Sequence, residues 1–175
     1  MRQKVSAARL AQFMQSLGRG AKKPTRVYLV GGATAVLLGW REATIDVDLK
    51  IVPDSDELLR KLPQLKEDLQ LNIELASPDD FVPALPGWEE RSTYIGREGA
   101  VEFFHYDFYG QALAKIERGH ITDLRDVDEM ISRGLVQPAR LLELFSRVVD
   151  KLYKYPAIDA NSLQQAVEQL ASERG

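Results

Sequence analysis

Asp46 and Asp48 stand two residues apart in the run Ile45-Asp46-Val47-Asp48-Leu49, each carboxylate between apolar neighbours. If the run is a strand, side chains alternate and both carboxylates leave the same face, with Cα atoms about 6.5–7 Å apart. Two like charges on one face of an apolar strand gain nothing from each other, so the pair asks for a cation. Mg²⁺ fits, because it takes few protein ligands and completes its shell with water and substrate phosphates. One ion or two can share such a pair, and the simplest cargo is a nucleoside triphosphate (NTP). The competing reading is an ordinary solvent-exposed strand face, although strands disfavour aspartate.

The elements that must position the pair are legible in residues 26–50, RVYLVGGATAVLLGWREATIDVDLK. Arg26–Val30 reads as a short apolar strand, broken by Gly31-Gly32, and residues 33–39 as a buried helix stopping near Gly39. Residues 43–52 alternate, with Ile45, Val47, Leu49 and Ile51 on one face and Asp46, Asp48 and Lys50 on the other. A glycine pair at a helix N-terminus lets an anion approach orphan N–H donors and the helix dipole. Alone, such a pair is most often a tight turn. Here the next strand is expected to lie beside the first, bringing the carboxylates towards the glycines.

The rest of the chain predicts an α+β fold: a mixed sheet with flanking helices in the first two-thirds and a helical C-terminal part. A helix over 4–17 carries Leu10, Phe13, Met14 and Leu17 at helical spacing. Asp54-x-x-Glu57 resembles a capping box for a helical stretch through about Leu69, with Pro63 expected to kink or restart it. Leu71–Leu75 reads as a strand, and residues 92–109 as a hairpin turning near Gly96–Gly99. Helices follow over 110–119 and 122–133, from Pro138, and over 159–173. The expected divisions are residues 1–23 (helix and linker), 24–135 (the chemistry-bearing domain) and 136–175 (helices packed on it).

Composition excludes several classes. With no cysteine and only His105 and His120, disulfides, cysteine nucleophiles and zinc ribbons are out, and a histidine zinc site is improbable. A net charge of −3, from 23 basic and 26 acidic residues, argues against a basic nucleic-acid coat while leaving room for a local patch. No apolar run approaches a membrane span and the N-terminus lacks a signal-peptide core, so the expectation is a cytoplasmic protein without membrane contact. His105 between Phe104 and Tyr106, and the aromatics Tyr28, Tyr94 and Trp88, read as packing residues.

Gly31-Gly32, a spacer and Asp46-x-Asp48 together resemble the nucleotidyltransferase (DNA polymerase beta-like) superfamily. Within it, Arg41-x-x-Thr44-x-Asp46-x-Asp48 resembles the AbiEii toxin-like group, with one more residue between arginine and threonine than that group shows. The resemblance covers about residues 26–135. It implies a third carboxylate on a later strand, for which Glu74 is the natural choice and Glu102 and Asp107 the fallbacks. It also picks out Lys115-x-x-Arg118 followed by Asp123-x-x-Asp126, where Thr122 replaces a basic residue. Lys115 and Arg118 share a helix face and would clamp phosphates; Asp123 and Asp126 would hold Arg118 or Arg125. A salt-bridged surface helix is the plainer account of those charges.

The resulting expectation is nucleotidyl transfer from an NTP, with ATP or GTP as candidates, to a hydroxyl acceptor. Asp46, Asp48 and Glu74 are the candidate ligands for Mg²⁺ or Mn²⁺. Gly31, Gly32, Thr34, Arg41, Thr44, Lys115 and Arg118 are the candidate nucleotide contacts, with Lys115 also in a catalytic role. The resemblance further implies a toxin-like component of a toxin–antitoxin or phage-defence pair, acting on tRNA or another cellular target such as a protein, with a cognate antitoxin as partner. The alternative is a non-catalytic nucleotide-binding or partner-binding module on the same fold. A glycosyltransferase, which also uses D-x-D, is disfavoured by the short chain and the upstream glycine helix.

Overall fold

The computed structural model describes residues 3–174, which fall into two compact units. The first takes the chain up to Ser77 together with Ser92–Tyr106; the second takes Pro78–Arg91 and the chain from Asp107 onward.

The first unit holds α1 (Ala7–Gly18), β1 (Thr25–Val30), α2 (Gly32–Leu38), β2 (Asp46–Val52), α3 (Asp56–Leu69), β3 (Asn72–Leu75), β4 (Thr93–Glu98) and β5 (Val101–His105). Its five strands form one mixed sheet in the order β3-β2-β1-β5-β4. β1 runs antiparallel to β2 and parallel to β5, β2 parallel to β3, and β4 antiparallel to β5. Alternation then sorts the residues. Val27, Leu29, Val47, Leu49, Ile51, Ile73, Val101 and Phe103 point to one face and form the core with Leu10, Phe13 and Leu17 of α1 and Leu58, Leu62 and Leu65 of α3. The opposite face carries Asp46, Asp48 and Lys50.

Two local expectations change. Ser55, not Asp54, caps α3, its hydroxyl accepting from the Leu58 N–H at 3.2 Å; Asp56 and Glu57 fill the first turn, where the helix dipole favours acids. The helix also runs unbroken through Pro63. The hairpin turns at Gly99, within the expected Gly96–Gly99 span, and the β4–β5 register shifts between Tyr94 and Gly96.

The second unit is helical: α4 (Trp88–Arg91), α5 (Phe108–Arg118), α6 (Ile121–Ser132), α7 (Pro138–Ser146) and α8 (Ala160–Arg174), with 3-10 turns at Pro78–Asp80 and Val149–Lys154. The short α4 carries Glu89 and Glu90 in its first turn. Pro138 opens α7, where its missing N–H costs nothing. Leu113, Val127, Met130, Leu141, Phe145 and Val167 are buried within this bundle. The Tyr155 hydroxyl ties its last 3-10 turn to the Asp79 carbonyl at 3.0 Å.

Candidate active site

β1 ends at Val30 and its cross-strand partner is Asp48, so the first strand delivers the chain to the glycines beside the second carboxylate. This is the adjacency the sequence led us to expect. Asp46 and Asp48 are both half-buried on the polar face of β2, and Lys50 follows them on the same face. Gly31 turns the chain with φ 62° and ψ −123°, a combination that side-chain-bearing residues rarely adopt. A Cβ placed there would lie 3.7 Å from Asp48 Oδ2, so turn and carboxylate are in van der Waals range. This unit therefore brings together Gly31, Gly32, Thr44, Asp46 and Asp48.

Gly32 has a different reason from the expected one. A Cβ on Gly32 would meet Thr44 Oγ1 at 2.0 Å and Thr44 Cβ at 2.7 Å. The space freed by the glycine is filled by this threonine, not left open for a phosphate. The Thr44 hydroxyl donates to the Asp46 carbonyl at 3.3 Å. Thr34, expected at the nucleotide, is fully buried instead: its hydroxyl faces the Leu29 carbonyl at 3.3 Å and His105 Nδ1 at 3.0 Å. It braces α2 against the sheet from inside. Burial pushes the His105 imidazole down to about 4, so it is neutral near pH 7 and suits this internal role. Arg41 is half-buried just beyond α2, its N–H donating to the Ala35 carbonyl at 3.4 Å.

The parallel β2–β3 register sets Asn72 beside Asp46 and Glu74 beside Asp48, so the expected third carboxylate does share the face. Asn72, which the sequence reading passed over, connects them: its amide donates to Asp46 Oδ1 and, at 3.3 Å, to Glu74 Oε1. A polar residue two before Glu74 on the same strand was the available signal. Glu74 itself is exposed, and among the described residues no three acidic or histidine side chains gather closely enough to form a metal site as they stand. Of the fallbacks, Glu102 stands opposite Arg26 on β1 and Arg97 on β4. Asp107 belongs to the second unit and is excluded by its work there. It caps α5 through the Tyr109 N–H and takes a two-pronged pair from Arg91, at 3.1 Å (Nε to Oδ1) and 2.7 Å (Nη2 to Oδ2).

The charges of α5 and α6 form a cluster of their own in the second unit. Lys115 is buried, with Nζ 2.7 Å from Asp126 Oδ2 and 3.6 Å from Asp123 Oδ1. Arg118 donates to both oxygens of Asp123 at 2.8 Å. Burial alone would raise the Asp123 carboxyl, but the Arg118 hydrogen bonds and the Lys115 and Arg118 charges outweigh it and hold the group below the usual carboxylate range. Asp123 thus holds Arg118 as expected. Asp126 holds Lys115, which had been expected to face phosphates.

A family model described as nucleotidyltransferase of unknown function (DUF6036) matches residues 7–170. The chain belongs to this family. The match takes in α1 and the C-terminal helices, which the sequence motifs left unaccounted for. No curated protein and no solved structure matches the chain. For a nucleotidyltransferase-family chain, the Asp46–Asp48 face beside the Gly31 turn is the arrangement with chemistry to offer. Its donors are hard carboxylate oxygens, the ligand type that Mg²⁺ and Mn²⁺ prefer. Among the described residues, no helix is long and apolar enough to cross a membrane.

Proposed function

We propose that the chain transfers a nucleotide from an NTP, ATP or GTP, to a hydroxyl acceptor in a Mg²⁺-dependent reaction. The observation that carries this reading is Asp48 Oδ2 lying against the Gly31 turn, with Asp46 on the same face, in a chain of the nucleotidyltransferase family. In the reaction the acceptor oxygen forms a bond to the α-phosphorus, the bond from that phosphorus to the bridging oxygen breaks, and pyrophosphate leaves. Asp46 and Asp48 would hold the cation, and Glu74, one strand over, would complete its shell or take the acceptor proton. The bound ion supplies Lewis-acid stabilisation of charge on the transferring and leaving phosphates. Asn72 orients Asp46 by holding one oxygen, leaving the other for the cation. Gly31 keeps the backbone beside Asp48 clear of a side chain. Arg41 is assigned to the nucleotide on the resemblance alone.

The same resemblance, to the AbiEii toxin-like group, supports a toxin-like role in a toxin–antitoxin or phage-defence pair, with tRNA or a protein as acceptor and an antitoxin as partner. The test incubates the chain with Mg²⁺, each labelled NTP, and total RNA or lysate. Label should reach an acceptor with wild type and not with Asp48→Ala; no transfer under conditions where a known relative works would sink the proposal.

The ion-paired state of Lys115 favours a second reading, a non-catalytic nucleotide- or partner-binding module. Calorimetric titration of ATP and GTP with and without Mg²⁺ separates the two. Tight binding that Asp48→Ala leaves unchanged favours the module.

A further inference from the structure

Thr44 is built into its place from three sides. Its backbone pairs with Val5 in an isolated antiparallel bridge, Val5 N–H to Thr44 carbonyl at 2.7 Å and Thr44 N–H to Val5 carbonyl at 3.0 Å. Val5 is itself fully buried. The Thr44 side chain fills the space a Gly32 side chain would take, closely enough that a Cβ there would overlap Oγ1 at 2.0 Å. Its hydroxyl reaches forward to the carbonyl of Asp46. One residue therefore touches the N-terminal segment, the glycine turn and the first carboxylate residue at once.

We propose that Thr44 is a positioning residue. It fixes the spacing between the Gly31-Gly32 turn and the Asp46–Asp48 strand, and touches neither nucleotide nor cation. Gly32 is glycine so that this wedge can seat. The proposal rests on the reading of Asp46 and Asp48 as cation ligands. Residues behind a metal ligand set its orientation, and their loss weakens metal binding by about tenfold to a hundredfold.

The probe is Mn²⁺ alone, its affinity for the full chain measured by calorimetry or by electron paramagnetic resonance of the free ion. Each variant's fold is checked by circular dichroism and thermal midpoint. Thr44→Ala, which removes both hydroxyl and wedge, should weaken Mn²⁺ about tenfold. Thr44→Ser, which keeps the hydroxyl, should stay nearer wild type. Gly32→Ala should weaken binding through the clash, and Gly32→Ala/Thr44→Gly, which swaps the bulk across the contact, should recover part of what Gly32→Ala loses. A folded Thr44→Ala with wild-type Mn²⁺ affinity overturns the proposal, as does a swap that is no better than Gly32→Ala alone.

Wild type that holds no Mn²⁺, or an Asp46→Asn variant that holds it equally well, contradicts the metal reading and not the wedge. The wedge is then read by amide hydrogen exchange at Gly32–Ala33 and Val47–Asp48. Faster exchange in Thr44→Ala upholds it, and unchanged exchange overturns it.

Discussion

Replacing Lys115 by alanine leaves two buried carboxylates without their shared cation. Asp126 is 2% exposed and Asp123 1%, and the Lys115 ammonium lies 2.7 Å and 3.6 Å from them. Asp123 keeps Arg118, whose side chain is largely exposed and screened by water. Asp126 loses its 2.7 Å contact with the Lys115 ammonium. Removing one partner of a buried pair costs about 3–5 kcal/mol, because the remaining charge stays desolvated, whereas replacing both partners with apolar groups is often close to neutral. Lys115→Ala should therefore lower unfolding free energy in urea by about 3 kcal/mol at pH 7, and Lys115→Met/Asp126→Leu should recover most of that loss. A Lys115→Ala cost below about 1 kcal/mol, the scale of a surface pair, would refute the buried-cluster reasoning. The outcome also bears on function. A loss of activity in Lys115→Ala reports on phosphate contacts only if the protein remains folded at the assay temperature.

Three further expectations concern stability and orientation. The folded His105 pKa of about 4 lies below the unfolded 6.5, so the ring is neutral in both states above pH 6.5 and adds no pH dependence there. As pH falls from 6.5 towards 4 the unfolded chain takes the proton first, removing up to about 3 kcal/mol of stability. His105→Gln should flatten urea midpoints across that window, while loss from the depressed Asp123 carboxyl appears only lower, as pH falls below its usual 3.8. At the end of α1, a Cβ on Gly18 would stand 2.3 Å from the Glu98 carbonyl oxygen, a backbone atom that cannot swing aside. Gly18→Ala should cost about 1–3 kcal/mol by chemical denaturation, and a neutral result would contradict this packing. Asn72→Ala frees Asp46 Oδ1 from its amide donor and should weaken Mn²⁺ about tenfold with little change in thermal midpoint; equal affinity would remove Asn72 from the site.

The strand–glycine–helix–strand unit was legible because it rests on local rules. Alternation in β2, the apolar run of β1 and the glycine break each carry their signal within a few residues. The neighbourhood of Asp48 and the glycine turn followed from the order strand, glycine pair, helix, strand. What could not be read depends on contacts between distant segments. Gly32 looks like a phosphate-approach glycine until Thr44 is seen to fill its space, and Thr34 looks like a helix-start hydroxyl until His105 is found beneath it, 71 positions along the chain. Asp107 reads as a spare carboxylate, yet Arg91 and the α5 N-terminus both use it. Asn72 was missed because an amide is not itself a preferred ligand for a hard cation. Its importance comes from the parallel β2–β3 register, which no short sequence window contains. The Ser55 cap was missed for a smaller reason: Asp54 and Ser55 are adjacent good capping residues, and helix ends shift easily by one position.

The most direct test of the account compares NTPs labelled on the α-phosphate with the same NTPs labelled on the γ-phosphate, each incubated with the chain, Mg²⁺ and total RNA or lysate. The account predicts that α-label enters an acceptor, that γ-label leaves as pyrophosphate, and that Asp46→Asn and Asp48→Asn each abolish transfer while staying folded. Transfer of the γ-label, or full α-label transfer by a folded Asp48→Asn variant, would contradict it.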